Sequence, residues 1–227
     1  MKHTLFVSSI TAVCLLGSAR AADASYTTFF DQQGSTITSI SFSLGGVSGS
    51  VSLDKGRFWA STYEYTWDNT AALTAMNSDL GLTLDASVLQ TVVRSGNGGA
   101  EDVLTLDFTS SDYNAGDTVT IYLTVSARDT AVTSVTLTGL TDYSISYATA
   151  DGDGFSSEVT FSSGADVATL LKVTGTLTDA ETVTVQTDQA NDGFGFVALA
   201  ASAVPEPATA TLGLLALGAL ALRRRRA

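Results

Sequence analysis

The stretch RFWASTYEYTW carries the side chains in this chain that are best suited to bind a ligand. It holds both tryptophans and two of the seven tyrosines. As a β-strand it would place Trp59, Tyr63, Tyr65 and Trp67 on one face, over about 26 Å. Such a face predicts a platform on which sugar rings stack. The alternative is that the rings fill the core of a β-sandwich, as aromatic side chains do in most folds. The core is favoured because the opposite face is polar through most of its length.

Carboxylate pairs are the groups that hydrolyse glycosidic bonds. Between residues 22 and 204 there are 22 acidic residues, so the sequence does not single out a pair. Glu64, which lies between two tyrosines, is the candidate if the chain hydrolyses glycans.

The positions of the only cysteine and the only histidine exclude several other kinds of catalytic site. The only cysteine is Cys14 and the only histidine is His3, both close to the N-terminus. The remainder of the chain therefore lacks Cys–His catalysis, Ser–His–Asp catalysis and the usual zinc ligands. We expect a protein that is not an enzyme and that has no cofactor and no metal site.

An acidic, glycine-rich stretch, DGDGFSSE, suggests a calcium loop, because calcium prefers oxygen ligands. An EF-hand loop that started at Asp151 would need Asp or Asn at position 155 and Glu at position 162. Those positions hold Phe155 and Ser162. The stretch therefore predicts a turn between strands.

The charge of the chain body limits its partners. Five basic residues stand against 22 acidic ones between residues 22 and 204, a net charge of −17. Such a surface repels nucleic acid and anionic lipid head groups. We therefore expect no nucleic-acid partner.

Alternating apolar and polar residues predict that the region 22–200 is one all-β domain, an antiparallel sandwich of jelly-roll-like type. In DTVTIYLTVSA, the aliphatic residues from Val119 to Val125 point one way, and Tyr122 and three threonines point the other. SISFSL, DVLTLDF, YSISY, EVTF, LLKVTG and TVTVQ repeat the pattern, and Gly, Asp and Asn separate these segments. About ten strands, each buried on one side, are expected.

Two stretches predict short helices. DNTAALTAMNSDLG offers Asp68 or Asn69 as the N-cap, spaces Leu73, Met76 and Leu80 along one face, and ends at Gly81.

The second stretch, DASVLQTVVRSGNG, would begin at Asp85 and end near Gly96. Its Val88, Leu89, Val92 and Val93 have helical spacing. Its valine content suits a strand equally well.

The first 21 residues predict a secretory signal peptide. Lys2 precedes an apolar stretch from Leu5 to Gly17, and Ala19-Arg20-Ala21 is a small-x-small cleavage site. The apolar stretch is too short for a membrane-spanning helix.

The last 27 residues read as a hinge, an apolar helix and a basic end. The hinge, 201–207, holds the only two prolines of the chain in Val204-Pro205-Glu206-Pro207, which keeps it extended and accessible to a processing enzyme. Residues 208–222 are uncharged and would form a helix about 22 Å long. The hydrocarbon core of a lipid bilayer is about 30 Å thick, so this helix would be a weak permanent membrane anchor. Within the terminal segment 208–227, Arg223, Arg224, Arg225 and Arg226 hold that helix on the cytoplasmic side.

This order of V-P-E-P, short apolar helix and terminal arginines resembles the PEP-CTERM sorting signal of Gram-negative bacteria. The resemblance covers about the last 25 residues. It implies that an exosortase, a membrane enzyme of transpeptidase type, recognises Pro205, Glu206 and Pro207 as a substrate's residues. It also implies an association with extracellular polysaccharide systems.

The combined features predict an exported protein. Its precursor would be tethered to the inner membrane through the terminal helix and would then reach the cell surface or the extracellular matrix, with a structural or adhesive role. The alternative is a carbohydrate-binding module that uses the aromatic platform, and the third reading is a glycan hydrolase. Extracellular polysaccharide is an expected partner, beside the exosortase and the membrane.

Overall fold

The computed structural model describes residues 24–29, 39–52, 58–95, 103–127, 132, 134–161, 167–179, 182–188 and 192–202. These ranges contain twelve strands, one α-helix and one 3₁₀ helix. The first six strands are β1 (Ser25–Thr28), β2 (Ser39–Leu44), β3 (Val47–Ser52), β4 (Phe58–Glu64), β5 (Thr91–Ser95) and β6 (Val103–Asp107). The other six are β7 (Thr118–Ala127), β8 (Val135–Thr138), β9 (Leu140–Ala148), β10 (Thr169–Leu177), β11 (Thr182–Thr187) and β12 (Asp192–Ser202). The α-helix, α1, is Thr70–Leu80, and the 3₁₀ helix is Ala86–Leu89.

Two five-stranded antiparallel sheets form the sandwich. Sheet A has the order β1-β12-β7-β10-β9, and sheet B has the order β2-β3-β6-β11-β8. The chain crosses between the sheets several times, as in Greek-key sandwiches. This confirms the predicted all-β antiparallel architecture, with ten sandwich strands where a jelly roll has eight. A separate two-stranded sheet pairs β4 with β5.

The inward faces of the two sheets share one hydrophobic core. Leu104 and Leu106 of sheet B and Ile121 and Leu123 of sheet A are fully buried in the same cluster. The alternation of each strand produces this core, because residues i and i+2 lie on the same side of a sheet.

The outer face of sheet A is covered by a third layer, which the sequence did not predict. Tyr122 and Thr124 of β7 were expected to point away from the core, yet both are buried. Tyr122 belongs to a second hydrophobic cluster with Met76 and Leu80 of α1. The expectation was wrong for Tyr122 because its ring provides a large apolar surface that α1 covers.

Helix α1 confirms the first predicted helix and its two ends. The Asn69 side chain caps it by accepting the backbone N–H of Ala72, and Gly81 ends it with a φ of 63°. A left-handed residue at this position favours glycine. The helix buries Met76 and Leu80 as predicted.

The second predicted helix is short and gives way to a strand. Asp85 caps the 3₁₀ helix Ala86–Leu89, and Thr91–Ser95 then forms β5. A helix running to Gly96 was therefore wrong, and the strand alternative is confirmed for the valine-rich half.

Two strand expectations also change. Residues 158–161 (EVTF) form no strand, although Ser156 makes an isolated bridge with Tyr147. In the aromatic stretch, β4 ends at Glu64, and its pairing with β5 shifts register between Ala60 and Glu64. The strand assumed for the aromatic platform, Trp59 to Trp67, therefore ends three residues before Trp67.

Both ends of the described body lie at the same end of sheet A. Ser25, the first residue of β1, pairs with Leu199 of β12, and β12 ends three residues later at Ser202. The last strand thus extends two residues into the segment that was predicted as the hinge.

Several terminal predictions concern residues outside the described ranges. These are the signal peptide 1–21, the rest of the hinge, and the segment 208–227. Within the described residues, no helix has the length and apolar character needed to cross a lipid bilayer.

Candidate functional site

A tyrosine, an aspartate and a lysine from three separate elements meet on the outer face of sheet A. The Tyr122 hydroxyl donates a hydrogen bond to Asp79 Oδ2 at 2.5 Å. Lys172 Nζ lies 2.6 Å from the same oxygen and 5.8 Å from the centre of the Tyr122 ring. Lys172 of β10 and Tyr122 of β7 are directly paired across the two neighbouring strands. Asp79 belongs to α1, which packs on the outer face of the same sheet.

The cluster fixes the ionisation of two of its groups. Burial opposes the charge on Asp79, but the hydrogen bonds from Lys172 and Tyr122 and the charge of Lys172 outweigh it, so the pKa of Asp79 lies below its ordinary value. Burial, the hydrogen bond to Asp79 and the charge of that carboxylate all raise the pKa of Tyr122. Neither pKa moves toward neutrality, where general acid–base catalysis works best. The geometry suits fastening α1 to sheet A.

Asn69 forms a second polar centre, at the opposite end of α1. It is almost fully buried, and its side-chain oxygen and its side-chain nitrogen each make two hydrogen bonds. Oδ1 accepts the backbone N–H groups of Ala72 at 3.0 Å and Gly154 at 2.8 Å. Nδ2 donates to the carbonyl oxygens of Thr149 at 2.9 Å and Gly154 at 3.2 Å. One side chain thereby caps the helix and holds the turn that follows β9.

That turn contains the stretch considered above for calcium. Asp151 and Asp153 are exposed, and Gly154 has a φ of 109°. Among the described residues, no group of three or more His, Cys, Asp or Glu side chains is placed to hold a metal ion. The stretch is a turn whose backbone binds Asn69.

The four aromatic residues of the predicted platform have different surroundings. The Trp67 indole is 5% exposed and donates from Nε1 to the Asn69 carbonyl at 3.0 Å. Tyr65 is half-buried, and its hydroxyl donates to the carbonyl of Leu89. Both pack in the second hydrophobic cluster, on the outer face of sheet A, and not in the core between the two sheets. The side chains of Trp59 and Tyr63 lie outside the described part of the structure.

Glu64, the hydrolase candidate, ends β4 and pairs with Thr91 of β5. Its side chain is outside the described part. The sorting residues, Val204, Pro205, Glu206 and Pro207, and the arginines at 223–226 also lie outside it.

The Asp79 cluster and the full role of Asn69 were missed by sequence reasoning. Asp79, Tyr122 and Lys172 are far apart in the chain, and no spacing rule connects them. One signal was available: Lys172 is one of only five basic residues between 22 and 204, and the other residues of its strand, β10, are uncharged.

Comparison with known proteins gives one finding, at the C-terminus. A family model described as the PEP-CTERM protein-sorting motif matches residues 203–226. This confirms the resemblance drawn from Val204-Pro205-Glu206-Pro207, the apolar segment and the arginines. The motif implies an exported precursor that is tethered to the membrane until an exosortase processes it. No curated protein and no solved structure matched the chain.

Proposed function

We propose that this protein is a structural or adhesive component of the bacterial surface or extracellular matrix, and that it has no catalytic role. The observation that carries the proposal is the position of the sorting motif. The motif begins at residue 203, immediately after β12 ends at Ser202. The exosortase thus has as its substrate a segment joined directly to a sandwich domain.

The chemistry of the domain supports a role without catalysis. The described cluster of ionisable groups, Asp79, Tyr122 and Lys172, joins a helix to a sheet. The inter-sheet core is built from aliphatic and aromatic residues of both sheets. Such a body is suited to persist outside the cell and to present surfaces.

The alternative function is a carbohydrate-binding module. Trp59 and Tyr63 are the platform residues that keep this alternative open, since Tyr65 and Trp67 pack in the second hydrophobic cluster. Acrylamide quenching of Trp59→Phe and Trp67→Phe variants separates the two tryptophans. Quenchable Trp59 emission that falls when polysaccharide is added would favour the module, and a shielded signal that does not respond would remove it. Lack of activity on a glycan panel after long incubation would remove the third reading, the hydrolase.

The sorting proposal is tested by the intact mass of the exported product. The full chain is expressed in a host that carries an exosortase and in the same host without that gene. We expect the first product to lack the arginines at 223–226 and the second to retain them. Replacing Pro205, Glu206 and Pro207 together by alanine should give the unprocessed mass in both hosts.

A matched control replaces Thr209, Thr211 and Ala210 by serine, which leaves the prolines and the arginines intact. Processing of this control should continue. If the exported wild-type protein keeps all four arginines in the host with the exosortase, the proposal is wrong.

A further inference from the structure

The outer face of sheet B carries an ordered array of hydroxyl groups. Its strands alternate strictly, so every second side chain of β2, β3, β6, β11 and β8 points away from the core. We call this surface the hydroxyl face. Its members are Ser39, Ser41, Ser43, Ser48, Ser50, Ser52, Val103, Thr105, Asp107, Thr136, Thr138, Thr182, Thr184 and Gln186.

Strand pairing aligns these residues in three rows. The central row crosses all five strands and runs through Ser41, Ser50, Thr105, Thr184 and Thr138. The row on one side runs through Ser43, Ser48, Asp107 and Thr182, and the row on the other side through Ser39, Ser52, Val103, Gln186 and Thr136.

The array is regular because the pairings of sheet B show no register shift along the described strands. In sheet A, by contrast, the β10–β9 and β12–β7 pairings both shift. Neighbouring rows are therefore about 6.7 Å apart, and neighbouring members of a row about 4.8 Å apart. The five strands span roughly 19 Å.

Charge is almost excluded from this face, although the body carries a net charge of −17. Among the fourteen positions, Asp107 alone is ionisable, and its Oδ1 already accepts hydrogen bonds from the N–H and the hydroxyl of Thr109. A neutral surface on an acidic protein favours a neutral ligand, since anionic polymers are repelled by the rest of the body. Cationic ligands would prefer the acidic turns.

We propose that the hydroxyl face binds neutral polysaccharide, with the central row as the main contact. Serine and threonine hydroxyls both donate and accept hydrogen bonds, as the hydroxyls of neutral sugars do. Each bond contributes only about 1 kcal/mol in water, so a single sugar binds too weakly. A polymer that contacts several rows at once binds with a higher overall affinity, because its sugar units are linked and their weak contacts add. This inference names the ligand class of the matrix protein proposed above, and it rests on that proposal.

The test measures retention of the full-length protein, purified in mild detergent, on insoluble particles. Microcrystalline cellulose and curdlan are the neutral probes, and calcium alginate is the anionic one. We expect retention on a neutral probe, weaker retention on alginate, and little change in 1 M NaCl, because no charge pairing is involved.

The variant that tests the face replaces Thr105, Thr138 and Thr184 by valine. Valine keeps the β-branched shape and removes the hydroxyl, so the strands are preserved. We expect at least a tenfold weaker apparent affinity for the neutral probe. The matched control makes the same change at Thr118, Thr120 and Thr174 on the outer face of sheet A. The comparison is close because Thr138 and Thr184 form a cross-strand hydroxyl contact at 2.6 Å, and Thr120 and Thr174 form one at 3.1 Å.

A second variant, Ser41→Lys, keeps the proposal testable if the triple variant does not fold. Ser41 is exposed on β2, an edge strand where lysine is well tolerated. It too should reduce retention.

The proposal is overturned if the wild-type protein is not retained on either neutral probe, or if the triple variant or Ser41→Lys binds as well as the wild type. It is also overturned if Trp59→Ala alone abolishes binding, or if the face instead mediates a dimer that Ser41→Lys disrupts. None of these results alters the mass of the exported product, so the sorting proposal is judged separately.

Discussion

The hydroxyl of Tyr122 donates to the carboxylate of Asp79 at 2.5 Å, across the interface between α1 and sheet A. The same oxygen of Asp79 pairs with Lys172 at 2.6 Å. This carboxylate therefore joins the outer layer of the protein to two strands of the sandwich.

Replacing Asp79 by alanine should destabilise the domain by about 1–2 kcal/mol. The buried Tyr122 hydroxyl would lose its acceptor, and that loss exceeds the small contribution of the partly exposed ion pair to Lys172. Urea denaturation followed by circular dichroism measures the change. Thr74→Ala, on the exposed side of the same helix, is the control and should leave stability unchanged. Equal effects of the two substitutions would contradict this role for Asp79.

The loss of stability at acidic pH should depend on Asp79. The pKa of Asp79 is lower in the folded state than its ordinary value, so its contribution is present above pH 4–5 and is lost as the pH falls through the folded value. Thermal melts at pH 7 and pH 3 should therefore differ less for Asp79→Asn than for the wild type. A pH dependence identical in both proteins would count against the assignment.

Alkaline titration should reveal the buried tyrosines. Burial is the main cause that raises the pKa of Tyr65, Tyr122 and Tyr147 in the folded protein. Their contribution to stability is complete below about pH 10 and is lost as the pH rises further, because the unfolded chain ionises first. Absorbance at 295 nm should show these tyrosines ionising together with unfolding. Tyr122→Phe should reduce the step that coincides with unfolding, and a step of unchanged size would contradict the prediction.

Asn69→Ala should be among the most damaging single substitutions in the body. It removes the cap of α1 and leaves the buried N–H of Ala72 and the partly buried N–H of Gly154 without their partner, a loss of about 3 kcal/mol. Asp85→Ala, which removes an exposed cap hydrogen bond of the 3₁₀ helix, should lower the melting temperature less. A smaller effect at Asn69 than at Asp85 would show that its four hydrogen bonds do not fasten the two layers.

A comparison of Gly139→Ala with Gly46→Ala separates the energetic cost of the positive φ from the cost of a steric clash. Gly139 and Gly46 have similar positive φ values, 84° and 89°, so alanine costs about 1 kcal/mol at each for conformation. At Gly139 a Cβ would also lie 1.9 Å from the carbonyl oxygen of Thr182, whereas at Gly46 nothing lies within 4 Å. We expect a total loss of about 3 kcal/mol at Gly139 and about 1 kcal/mol at Gly46. Equal losses in chemical denaturation would exclude the clash.

The sequence alone predicted the features that depend on near neighbours. Alternation identified most of the strands, because the period of two follows from the backbone itself. The cap at Asn69 and the end at Gly81 bounded α1 for the same local reason. The sorting motif was also readable, because its recognition depends on the order of Pro205, Glu206 and Pro207 before an apolar segment and not on a fold.

Only the tertiary structure decided what covers each face. The side of β7 that carries Tyr122 was expected to lie outside the core, but α1 packs against Tyr122 there, because burial depends on which distant element packs on a strand. The meeting of Asp79 with Tyr122 and Lys172 joins residues separated by 43 and 93 positions. The rows of the hydroxyl face likewise depend on strand order and register, which bring together five strands that are dispersed along the chain. Local sequence fixes the two sides of each strand, and long-range pairing determines which sides form a core and which form a surface.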